Sequence, residues 1–144
     1  MQKSVPVKDK SSRIRDISIT LSQVEFLAKT IAPQLHGGET LALIGPLGSG
    51  KTMFTKALAK ELKIKNTVTS PTFVIMNRYE TKLKGKKTFF YHLDLYRTES
   101  FKEITALGIT EIWNKPDTIT VLEWADKIQK KLPPNTTTIH FRHA

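Results

Sequence analysis

Residues Gly45 to Thr52 read Gly-Pro-Leu-Gly-Ser-Gly-Lys-Thr, directly after the apolar run Thr40–Ile44 (Thr-Leu-Ala-Leu-Ile). No other stretch restricts the possible folds as strongly. Glycine has no Cβ, so consecutive backbone N–H groups can curl toward one point and face an anion there. Downstream, Phe54, Ala57, Leu58 and Leu62 fall on one side of an expected helix, whose positive dipole end would point at the same place. The segment fits G-x-x-x-x-G-K-[ST] in full, and a buried strand before it with a helix after it is the setting that the pattern requires. In that setting Lys51 is expected to reach the β- and γ-phosphates of a nucleoside triphosphate, and the Thr52 hydroxyl to ligate Mg²⁺.

The rest of the chain supplies strands and helices in alternation. Asp16–Thr20 alternates polar and apolar residues and predicts a short strand. Ser22 and Glu25 form an S-x-x-E capping signature, followed by Val24, Leu27, Ala28, Ile31 and Leu35 at helical spacing as far as Gly37-Gly38. Strands are expected over Thr72–Tyr79 and Thr88–Tyr96, joined by a Lys-rich turn at Gly85, and again over Thr118–Glu123 and Thr136–Phe141. Short helices are expected over Phe101–Leu107, near Ile109–Asn114, and after Glu123 as far as Lys131. The expected fold class is α/β: a single-domain P-loop NTPase fold with a central, mostly parallel sheet flanked by helices. Residues 1–15 are expected to be a flexible N-terminal segment and 16–144 the ATPase domain.

A phosphate loop of this kind works with an acid at the end of a neighbouring strand. Two candidates exist. Asp94 closes Phe-Phe-Tyr-His-Leu-Asp, where alternation puts Phe90, His92, Asp94 and Tyr96 on one face, and Glu123 closes Thr-Val-Leu-Glu. One would orient magnesium while the other positions the attacking water, in either order. Thr69-Ser-Pro-Thr72 lies where GTPases carry a switch segment, and its hydroxyls could sense the γ-phosphate or simply form a turn. Trp124 could cover a nucleotide base or anchor the core. Asn114-Lys-Pro-Asp117 spells the guanine-reading N-K-x-D, but it precedes a strand rather than following one, and Arg97 replaces the glycine of a D-x-x-G switch. The nucleotide is therefore read as ATP.

Bulk properties narrow the setting. Lys and Arg number 23 against 13 acids, for a net charge of +10, a balance that favours anionic partners or reflects a Lys-rich solvated surface. Apolar runs are too short to cross a bilayer, no signal-peptide core is visible near Met1, and cysteine is absent. A cytoplasmic protein with no membrane association is expected.

Four segments in order, L-G-S-G-K-T, S-P-T-F, H-L-D-L-Y-R and L-E-W, resemble the TsaE family, the small ATPases of bacterial tRNA threonylcarbamoyladenosine synthesis. The similarity spans Ser18 to Trp124. It implies that Leu47, Gly48, Ser49, Gly50, Lys51 and Thr52 wrap the phosphates, with Thr52 and Glu123 around magnesium and Asp94 as the second acid of hydrolysis. It also implies that Thr72 belongs to a switch-like segment, that Trp124 lies near the nucleotide, and that residues around Leu21 touch the adenine. The implied partner is a TsaB–TsaD complex, which modifies adenosine 37 of tRNA, so tRNA would be met indirectly. Met53 departs from the family's pattern, where a second Thr often follows the P-loop Thr. The remaining alternatives are a non-enzymatic nucleotide switch and a small-molecule kinase. The five scattered arginines suit the kinase poorly.

Overall fold

The computed structural model describes residues 15–66, 68, 76–96, 100–113 and 115–143. Six strands form one sheet: β1 (Arg15–Thr20), β2 (Thr40–Ile44), β3 (Met76–Leu83), β4 (Lys86–Asp94), β5 (Thr118–Glu123) and β6 (Thr136–Arg142). Their order is β1-β6-β2-β5-β4-β3. Every neighbouring pair is parallel except the β3–β4 hairpin. The helices are α1 (Val24–Ile31), α2 (Lys51–Glu61), α3 (Phe101–Ala106) and α4 (Ile109–Ile112), with a 3₁₀ segment over Ala125–Lys131.

Burial on both faces explains the apolar strands at the centre. All six residues of β5 are buried, as are the first four of β2, as expected of parallel strands covered on each side. Alternation then assigns the layers. Leu41, Leu43, Phe90, Ile119 and Val121 pack with Leu27, Phe54 and Leu58 beneath α1 and α2. Ala42, Leu93 and Leu122 turn the other way and pack with Ile104, Ile109 and Ile128. Phe54 lies edge-on to Phe141 with ring centroids 5.9 Å apart. This contact is worth about 0.5–1.5 kcal/mol beyond burial and fixes the first turn of α2 against β6.

Several boundaries differ from the sequence reading, each for a local reason. The capping residue before the first helical turn is Thr20, whose N–H donates to Gln23 Oε1 at 2.9 Å. Ser22 lies inside a 3₁₀ turn over Leu21–Gln23, and Glu25 falls in the first turn of α1. β4 stops at Asp94 because the Tyr96 N–H turns back to Asp94 Oδ1 at 3.0 Å, so Tyr96 lies beyond the strand. The segment after Glu123 is 3₁₀ rather than α, with Trp124 left-handed at its start and Ile128 off helical geometry. The strand expected from Thr72 begins, among the described residues, at Met76, and its first part lies outside them. No described helix is long and apolar enough to cross a membrane.

Candidate functional site

The carboxyl ends of β2, β4 and β5 and the amino end of α2 meet at an open cleft of about 390 Å³, where ligands bind in sheets of this kind. Its floor is the glycine loop. Gly50 caps α2 with φ +113°, a conformation that residues with a Cβ rarely adopt. A Cβ there would also approach Leu21 Cδ1 and Val24 Cγ2 to 3.1 Å. Gly48 has φ +78° and faces open space. The loop is pinned from within by the Ser49 hydroxyl, which donates to the Pro46 carbonyl at 2.6 Å. Gly50 offers no side-chain acceptor to the first turn of α2, which leaves that end suited to an anion.

Lys51 is buried, and its Nζ donates to the Gly45 carbonyl at 2.6 Å and the Pro46 carbonyl at 3.0 Å, with the ammonium 4.1 Å from the centre of the Trp124 ring. Burial lowers its pKa, while the Glu123 and Asp94 carboxylates pull the other way. The ammonium thus sits on the loop's own carbonyls while its side chain lines the cleft.

Thr52 and Glu123 are brought together across the sheet. The Thr52 hydroxyl lies 3.1 and 3.2 Å from the two Glu123 oxygens, and both residues line the cleft. Asp94 is the register neighbour of Glu123 in the β4–β5 pair, so the two acids project side by side. Burial raises the Asp94 pKa, the neighbouring Glu123 raises it further, and the Tyr96 N–H, His92 and Lys51 act against the rise. A hydroxyl with one or two carboxylates beside a phosphate loop suits Mg²⁺, which takes few protein oxygens and completes its shell with water and phosphate. Among the described residues no cluster of three or more His, Cys, Asp or Glu forms a metal cage.

The cleft mouth is apolar. Leu47 (75% exposed), Met53 and Leu21 surround it. Trp124, left-handed at φ +62°, packs against Tyr96 at 4.9 Å between centroids. Lys127 Nζ donates to the Tyr96 carbonyl and braces that pair. Thr72 lies outside the described residues. Of the N-K-P-D segment, Asn114 is likewise outside them, while Asp117 immediately precedes β5, whose other end carries Glu123. The two ends are about 17 Å apart along the strand, which removes this segment from the cleft.

Two residues of the site were not assigned by sequence reasoning. His92, placed there only on the strand face that carries Asp94, is fully buried and puts Nε2 2.6 Å from Glu123 Oε2. The available signal was its position two residues before Asp94 on the same face of the strand. Tyr96 enters through the turn that ends β4, which alternation does not foresee. The lysines around Gly85 belong to the far end of the β3–β4 hairpin, roughly 26 Å along β4 from Asp94. Two of them are engaged locally: Lys84 donates to the Pro33 and Leu35 carbonyls, and Lys87 pairs with Glu80 at 3.5 Å.

Sheet order, glycine loop and strand-end acids together define an α/β protein with a P-loop sequence in its strand–loop–helix setting. A family model described as "Threonylcarbamoyl adenosine biosynthesis protein TsaE" matches residues 19–144. The tRNA threonylcarbamoyladenosine biosynthesis protein TsaE of Aquifex aeolicus is 46% identical over 115 residues, covering 74% of this chain and 84% of that protein. Its Bacillus subtilis counterpart is 34% identical over 127 residues, covering 88% and 76%. The crystal structure of Bacillus subtilis YdiB superposes with a TM-score of 0.62 at 28% identity, over 88% of this chain and 74% of that one. The chain belongs to the TsaE family of threonylcarbamoyl adenosine biosynthesis proteins.

Proposed function

We propose that this protein binds ATP with magnesium in the cleft and hydrolyses it as a cytoplasmic subunit of the tRNA threonylcarbamoyladenosine (position 37) machinery. It acts docked on a complex of the TsaB–TsaD type and meets tRNA through that complex. The reading is carried by the Thr52 hydroxyl beside the Glu123 carboxylate, 3.1–3.2 Å apart at the edge of the glycine loop.

In this reading Leu47 to Thr52 cradle the phosphates through backbone N–H groups, and Lys51 leaves the Gly45 and Pro46 carbonyls to meet the terminal phosphates. Thr52 and Glu123 hold magnesium, which offsets charge on the phosphate oxygens. Asp94 orients the attacking water and accepts its proton, a task suited to a carboxylate whose pKa is held above the ordinary range. Thr72 belongs to the segment that senses the γ-phosphate. Leu21 and Trp124 supply apolar surface for adenine. Lys82, Lys84, Lys86 and Lys87, around the turn of the hairpin, lie away from the cleft and take no part in the chemistry.

Replacing Asp94 by Asn tests the reading, because it separates chemistry from folding. Turnover falls by about 100-fold or more, within the range for loss of a positioned acid–base group. Stability at neutral pH rises, because the native state holds the Asp94 proton more tightly than the unfolded chain does. The group's contribution therefore falls as pH rises from its ordinary value of 3.8 through the raised native one. Asparagine keeps an oxygen for the Tyr96 N–H and has no such dependence. Denaturant midpoints at neutral pH and below pH 3.8, beside steady-state rates, check both effects. Wild-type turnover in Asp94→Asn would remove Asp94 from the chemistry.

A further inference from the structure

His92 is fully buried on the face of β4 that carries Phe90 and Asp94, and its ring is hydrogen-bonded to Glu123. Nε2 lies 2.6 Å from Glu123 Oε2, while Nδ1 is buried with no hydrogen-bond partner among the described residues. The lone nitrogen decides the tautomer. If Glu123 donated to a bare Nε2, the ring proton would sit on Nδ1 as a buried donor without an acceptor, which costs about 1–3 kcal/mol. With the proton on Nε2, only a lone pair is left without a partner. The imidazole is therefore the donor and the carboxylate the acceptor, in a short charge-assisted bond.

We infer that His92 is a positioning residue for Glu123: its Nε2–H holds Oε2, so that Oε1 and the Thr52 hydroxyl are presented together to the cleft. Glu123 is itself 3% exposed and stands at the end of β5 with a rotatable side chain. Without His92, the Thr52 hydroxyl is the remaining side-chain contact described for its oxygens. Such a carboxylate would turn toward the nearby Lys51 ammonium and lose the orientation that a divalent cation needs. Outer partners of metal-site ligands typically alter affinity by about 10- to 100-fold when removed. The inference rests on the proposed reading of Glu123 as the acid at magnesium.

Two measurements test it. Long-range ¹H–¹⁵N NMR of the histidine rings in the wild-type protein should show His92 protonated at Nε2 and bare at Nδ1. A proton at Nδ1 would overturn the inference without reference to nucleotide. The second measurement is the Mg²⁺ concentration that half-saturates the tightening of binding of a non-hydrolysable ATP analogue. It should rise by about tenfold or more in His92→Leu and return to within about threefold of wild type in His92→Gln, whose amide can donate from nearly the same place. Analogue binding without Mg²⁺ should stay unchanged in both. Should the leucine variant fail to fold, the glutamine variant and the ring spectra still decide: Nε2 protonation with near-wild-type Mg²⁺ coupling in His92→Gln supports the role. Glu123→Gln serves as the control for the underlying reading. If Glu123→Gln weakens Mg²⁺ coupling and a folded His92→Leu does not, His92 has no positioning role. If neither the wild type nor Glu123→Gln shows any Mg²⁺ coupling, the magnesium reading fails, and the inference fails with it.

Discussion

Glu123→Ala is expected to lower ATP turnover on the order of 1000-fold while the fold survives. The carboxylate stands within 3.2 Å of the Thr52 hydroxyl, and in the proposed mechanism it holds the cation that offsets charge in the transition state. Removing one such preorganised group costs about 100- to 1000-fold in comparable sites, and the upper end applies where a metal contact is lost with it. The structural penalty is smaller. Alanine leaves the His92 N–H without its acceptor, worth about 1–3 kcal/mol, against about 4 kcal/mol for a thousandfold rate change. Glu123→Gln separates the two terms, because its amide oxygen still accepts from His92 while the charge is gone. Rates measured beside denaturation midpoints should show Glu123→Gln close to wild type in stability and close to Glu123→Ala in turnover. A wild-type rate in either variant would remove Glu123 from the site.

Lys51→Ala is expected to weaken ATP binding on the order of 100-fold. The ammonium would exchange two neutral carbonyl acceptors on the loop for charged phosphate oxygens, and hydrogen bonds to charged groups are worth about 1.5–3 kcal/mol net. Each 1.4 kcal/mol is tenfold in affinity. Because the loop is pinned independently by the Ser49 hydroxyl, and Phe54 anchors the helix against Phe141, the fold should tolerate the change. Titration calorimetry with ATP and Mg²⁺ checks the affinity, and circular dichroism checks the fold. Normal affinity in Lys51→Ala would contradict the phosphate-cradle account.

Much of this arrangement was legible in the sequence because its signals are local. The glycine loop is contiguous, so backbone freedom at Gly48 and Gly50 and the placing of Lys51 and Thr52 at the start of a helix could be read together. The apolar run ending in Glu123 announced one strand end, the strand expected as far as Tyr96 stops at Asp94 instead, and the parallel β4–β5 register makes the two acids neighbours. Contacts that depend on which strand lies beside which could not be read. His92 meets Glu123 across 31 residues of sequence, and only the sheet order brings them into reach. A half-turn at Tyr96 and a left-handed Trp124 reshape the cleft wall, and neither residue type announces that backbone. The capping signature failed more simply: Ser22–Glu25 and Thr20–Gln23 both fit the pattern, and the chain turns at the earlier pair.

The central claim is tested most directly by measuring ATP hydrolysis with Mg²⁺ by this protein alone and with a purified TsaB–TsaD complex, with GTP as the parallel substrate. Slow turnover alone, marked stimulation by the complex and a clear preference for ATP are the results the account predicts. Absence of hydrolysis under both conditions, or a preference for GTP, would contradict it and return the cleft to a binding switch or a different nucleotide.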